Sequence, residues 1–148
     1  MEKIYLKGKC YYCNEKLSER TVKKHVKGCK VRKEKIEESI ASSKKTKSQY
    51  ILSVIPQYGS KEYSLYIAIN IDVTLKNLDS FLRDIWLECC GHLSSFIIGD
   101  VNYESCVDEE FEAFSQTETM DLKLSQVISV GDKFKYDYDF GSTTSLKL

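Results

Sequence analysis

KEYSLYIAINIDVTLKNLDSFLRDIWLECCG, residues 61–91, contains the change of period that decides the fold. Tyr63, Leu65, Ile67, Ile69 and Ile71 alternate with Ser64, Tyr66, Ala68 and Asn70, the period of two of a strand with one buried face. From Leu75 the apolar residues recur at helical spacing instead. Leu78, Phe81, Leu82, Ile85, Trp86 and Cys89 make a broad stripe, with Thr74 as N-cap and Gly91 as terminator. Upstream, YILSVIP (50–56) reads as a further strand. Downstream, LSSFIIGDVNY (93–103) reads as a hairpin turning at Gly99-Asp100. ESCVDEEFEAFSQTET (104–119) is acidic without a sheet pattern and reads as a surface loop. MDLKLSQVI (120–128) suits a short strand and helical turn, and KFKYDYDFG (133–141) and STTSLKL (142–148) are closing strands. The expected class is α+β, with one main helix on a mixed sheet.

The chain of 148 residues has 42% apolar residues, enough for one core plus an appendage. Its net charge of zero hides a split. Residues 1–50 carry 15 Lys and Arg against 6 Asp and Glu, and residues 51–148 carry 7 against 16, so +9 faces −9. The basic part suits an anionic partner; equally, the two halves suit each other. MEKIYLKGK at the amino terminus lacks the apolar centre of a secretory signal, and no run is long and apolar enough for a membrane helix. The expected location is the cytoplasm. Three expected parts follow: residues 1–40, a finger and basic helix; 41–49 (ASSKKTKSQ), a linker; and 50–148, the α+β domain.

The six cysteines fit reduced thiols with one metal site better than three disulfides. Cys10 and Cys13 form a knuckle, and His25 and Cys29, four apart, share a helix face. The spacing is Cys-x2-Cys-x11-His-x3-Cys, with Ser18 as N-cap of that helix and Gly28 easing the turn at the last ligand. Three thiolates and an imidazole complete a tetrahedron around one structural Zn2+ and leave no open position for a substrate. Arg20, Lys23, Lys24, Lys27 and Lys30 line the outer helix, as a phosphate-binding stripe does, and Tyr11 and Tyr12 can stack on exposed bases. Lysines beside a site of net charge −1 also serve as neutralisers, so a protein contact stays open as the alternative.

Catalysis is not expected. Cys89-Cys90-Gly91-His92 sits near a helix carboxyl end, where the dipole disfavours thiolate, and Cys89 falls on the apolar stripe. A second metal site from Cys89 or Cys90, His92 and Cys106 is the alternative there. Asp139-Phe140-Gly141 lacks the companions of a kinase motif. Asp108, Glu109, Glu110 and Glu112 lack calcium-loop spacing.

DSFLRDIWLECCGHLSSF (79–96) and GDKFKYDYDFGSTT (131–144) resemble the plasmid ORF-3-like family, whose members are also labelled insertion-element passenger proteins. The resemblance implies an α+β domain similar to a β-grasp sheet and implies no reaction. Relatives generally continue beyond the glycine-containing turn, so a truncated carboxyl end is expected. Together these readings give a non-catalytic zinc-binding protein that contacts nucleic acid through its finger. In the alternative, the acidic domain is an adaptor for a protein partner and the finger is only structural.

Overall fold

The computed structural model of the chain describes residues 7–42, 48–58, 64–87, 91–106, 117–140 and 144–148, in two compact units, 1–48 and 49–148.

In the first unit, strands β1 (Lys7–Lys9) and β2 (Lys16–Ser18) pair antiparallel, with Lys9 opposite Lys16. Helices α1 (Glu19–Gly28) and α2 (Lys30–Ser42) follow. Ser18 is the N-cap of α1, and its amide donates to Thr21 Oγ1 at 3.0 Å. The break between the helices falls at Cys29, whose backbone is extended, and not at Gly28, which remains helical. The Cys29 amide donates to the His25 carbonyl at 2.7 Å, and the Lys33 amide to the Cys29 carbonyl at 3.1 Å. Arg32 Nη1 donates to the Val26 carbonyl at 3.1 Å, so the end of α1 is satisfied by a side chain. Among the described residues of this unit, Cys10, Leu17 and Cys29 are buried together, with Cys13, Val22 and Val31 against them. Such a cluster is too small to hold a unit of this size by apolar burial.

The second unit is a seven-stranded sheet of order β4-β3-β9-β8-β5-β6-β7. Its strands are β3 (Gln49–Pro56), β4 (Leu65–Asn70), β5 (Ser94–Ile98), β6 (Val101–Glu104), β7 (Thr117–Thr119), β8 (Lys135–Tyr138) and β9 (Thr144–Lys147). Every pairing is antiparallel except β6 with β7. The α+β class is as expected. The turn between β5 and β6 is at Gly99, whose φ of 59° is a conformation other residues rarely adopt.

Helix α3 (Leu75–Leu82) starts where Thr74 and Asn77 exchange hydrogen bonds, each side chain accepting from the other's amide at 3.0 and 3.2 Å. Its first turn is bound to the chain beyond β7: the Leu75 amide donates to the Leu122 carbonyl and the Lys76 amide to that of Met120. The short helix α4 (Leu124–Val127) is held in return by the Leu124 amide on the Val73 carbonyl at 2.8 Å. Leu75, Leu78, Leu82 and Leu124 from the helices meet Val54, Phe96, Tyr136 and Leu146 from the sheet in one core.

Two further expectations are corrected. The buried stripe of α3 is narrower than its apolar residues suggest, with Phe81 39% and Ile85 41% exposed. Phe81 lies about 100° round the helix from Leu82, and Asp79 occupies the buried stripe instead. Beyond Leu82 the helix widens into a π-helical turn, Arg83–Leu87, which changes the register of the predicted stripe. The side chain of Trp86, and Cys89, lie outside the described residues. The second correction is Thr117–Thr119, a strand parallel to β6 and not loop; the acidic residues 107–116 before it also lie outside the described residues.

Candidate metal centre

The Cys10–Cys13 turn is shaped by its backbone. The Asn14 amide donates to the Cys10 carbonyl at 2.9 Å and the Cys10 amide to the Glu15 carbonyl at 3.0 Å. Asn14 takes the left-handed conformation, φ 60°, that asparagine tolerates. This aims both thiols at the face of α1 that carries His25, with Cys29 at the α1–α2 break. The donor atoms of Cys10, Cys13, His25 and Cys29 all lie within 4.8 Å of one another.

The spacings suit zinc. Bond lengths of about 2.3 Å to sulfur and 2.05 Å to nitrogen, at tetrahedral angles, require edges of about 3.8 and 3.6 Å. Cys10 Sγ is 3.9 Å from Cys29 Sγ, and Cys13 Sγ is 3.4 Å from His25 Nε2. Burial pushes the Cys10 thiol up, but the amides of Cys13 and Tyr12 and the ring of His25 outweigh it and bring it down to about 6. Cys13 moves the other way: the Glu15 amide lowers it, while burial and the sulfurs of Cys10 and Cys29 raise it by more. The two thiols therefore pull apart, Cys10 toward thiolate and Cys13 away from it, and a cation among the sulfurs would favour thiolate at both.

Glu15 was not legible as part of this centre. Its Oε2 lies 3.2 Å from His25 Nδ1, which orients the ring and leaves Nε2 facing the sulfurs. Such partners tune ligand basicity, so Glu15→Ala is expected to weaken zinc binding roughly 10- to 100-fold. Titration against a chelating dye measures this; unchanged affinity would remove Glu15 from the centre.

The residues read from sequence as nucleic-acid contacts fall on two elements. Arg20, Lys23, Lys24 and Lys27 are exposed on α1, and Lys30 is exposed at the start of α2. Arg20, Lys23 and Lys27 lie on the side of α1 opposite His25 and Cys29 by helical period. Tyr11 and Tyr12 belong to the ligand turn, ring centroids 5.4 Å apart and edge-on.

The second unit contains a buried polar network that the sequence reading passed over. Asp79, 6% exposed, accepts from Ser94 Oγ and Tyr136 Oη at 2.6 Å each, and from Arg83 Nε at 2.9 Å. Arg83 Nη2 donates to the His92 carbonyl at 2.6 Å and to Ser94 Oγ at 2.8 Å, while its guanidinium lies 5.0 Å from the Tyr138 ring centroid. His92 Nδ1 is 3.8 Å from Asp139 Oδ1. Asp79 and Arg83 form part of the wall of a cleft of about 380 Å³. The available signal was an acid and an arginine four apart across a predicted apolar stripe.

Burial, then Asp79 as acceptor, raises the Tyr136 hydroxyl far above the usual tyrosine value. Because the folded value is the higher one, this group favours folding below the unfolded value and loses that contribution as pH rises. Stability of the second unit is expected to fall above about pH 10, and Tyr136→Phe to flatten that fall. Denaturant melts across alkaline pH measure both; equal alkaline slopes in the two proteins would contradict the assignment.

Residues 64–148 match the family model described as Plasmid pRiA4b ORF-3-like protein, more than half of the chain. The chain belongs to this family. The two stretches that carried the resemblance meet at Asp79 in this ORF-3-like unit: Asp79, Arg83 and Ser94 come from one, Tyr136 from the other. A solved structure, a protein of unknown function from Methanosarcina mazei Go1, is similar with TM-score 0.58 and 17% identity, over 71% of this chain. The chain spans 60% of that protein's length, and the likeness is one of fold. No curated protein matches the chain. Cys89 and Cys90, considered above for thiol chemistry or a second metal site, lie outside the described residues, as does Gly141. Among the described residues no helix is long and apolar enough to cross a membrane.

Proposed function

We propose that this member of the ORF-3-like family is a non-catalytic nucleic-acid-contacting protein whose first unit is clamped by one structural zinc ion. The observation that carries the reading is the Cys10, Cys13, His25 and Cys29 group: four donors within 4.8 Å of one another suit a closed tetrahedral zinc site, which has no place for a substrate. Outside it, the exposed cations of α1 and Lys30 suit a phosphate backbone, and Arg20, Lys23 and Lys27 lie opposite His25 and Cys29 by helical period. The family's description mentions a plasmid, in keeping with a role beside mobile DNA.

With about four phosphate contacts on duplex DNA, log K is expected to fall with log salt at a slope near −3.6. Fluorescence anisotropy across a salt series measures the slope. A flat response, or no binding at low salt, would defeat the reading. The charge split favours one rival, in which the acidic second unit binds a protein. Tight, salt-sensitive capture of a protein by the full chain without any nucleic-acid affinity would establish that instead.

A further inference from the structure

The end of the β1–β2 hairpin carries a feature that folding alone does not favour. Lys9 and Lys16 are direct cross-strand partners, both exposed, at the two ends of the ligand turn. Like charges directly opposite in an antiparallel pair are destabilising, and an anion held by both offsets that repulsion. Within the same turn Tyr11 is 91% exposed, far more than a ring of that size usually remains. Its position is set by the edge-on contact with Tyr12, by the two backbone hydrogen bonds of the turn and by Cys10 at its flank. A cation pair at the base of a short, constrained turn that carries an exposed aromatic ring suits one kind of unit, a phosphate carrying an exposed base.

We propose that Lys9, Lys16 and Tyr11 form a site for unpaired nucleic acid, with the lysine pair on a phosphate and the Tyr11 ring stacked on a base. This rests on the nucleic-acid reading above and assigns a second surface, apart from the cations of α1. A base within a duplex has its faces covered by its neighbours, so Tyr11 selects strands whose bases are free.

The test uses the full zinc-loaded chain and labelled oligonucleotides of on the order of ten nucleotides: oligo-dT, oligo-rU and a DNA duplex of equal length. Both single strands are expected to bind more tightly than the duplex, and a difference between them identifies DNA or RNA as the source of the strand. Tyr11→Ala is expected to weaken single-strand binding about tenfold, with a much smaller effect on the duplex, and Tyr11→Trp to restore it. Replacing Lys9 and Lys16 together by alanine is expected to reduce the single-strand salt slope by about 0.7, the share of one phosphate contact. Zinc content reports that each variant retains its fold. Tyr11→Ala binding single strands as tightly as the unchanged protein, while all three probes still bind, overturns this site and leaves the helix-face reading intact. Binding of none of the probes at low salt overturns both.

Discussion

Replacing Cys29 by alanine is expected to unfold residues 7–42 while residues 49–148 keep their structure. Cys29 is a buried donor and also the residue at which α1 gives way to α2, so its loss removes a ligand and part of the small apolar cluster. Among the described residues that cluster contains three buried residues, Leu17 and two of the candidate donors, Cys10 and Cys29. Structural zinc in small fingers supplies roughly 10–16 kcal/mol near neutral pH, comparable to the whole stability of a domain. A strong chelator is expected to give the same result as the substitution. Backbone amide NMR distinguishes the units: signals of 7–42 collapse to unfolded positions and those of 49–148 remain. Dispersed signals from both units in the metal-free protein would contradict the account.

Asp79→Ala is expected to have the largest effect within the second unit. The substitution removes the acceptor of three hydrogen bonds and leaves the Arg83 guanidinium, whose side chain is 15% exposed, without its carboxylate. Breaking such a buried pair from one side costs about 3–5 kcal/mol, a large part of the 5–15 kcal/mol typical of a domain. The neighbouring exposed position is the control: Ser80→Ala is expected to change stability by less than about 0.5 kcal/mol. Urea melts of the two variants measure the difference. An Asp79→Ala protein as stable as the unchanged chain would mean the network is not integral to the core.

The legible parts of the fold were those whose residues repeat a period or cap an element. Strands β3, β4, β5, β6, β8 and β9, the start of α3 at Thr74 and the turn at Gly99 all follow from alternation, capping and glycine chemistry. The β1–β2 hairpin did not, because strands of three residues, with Leu17 buried among exposed lysines, leave no pattern to read. Strand β7 was hidden for a related reason: Thr117, Glu118 and Thr119 show no apolar alternation, and their strand is defined by parallel pairing to β6. The stripe of α3 was read too wide because periodicity counts Phe81 and Ile85 as core, whereas the buried side of the helix includes Asp79. At the metal centre, spacing was sufficient to bring the four donors together. Glu15 was not, since a carboxylate two residues beyond a ligand acquires meaning only when the chain returns His25 to within 3.2 Å of it.

The most direct test of the central claim is native mass spectrometry of the freshly purified chain. The account predicts a mass corresponding to one bound zinc ion per chain, lost together with the folded signals of residues 7–42 when a chelator is added. A metal-free mass with those signals still dispersed, or a mass showing Cys10 and Cys29 joined as a disulfide, would contradict it.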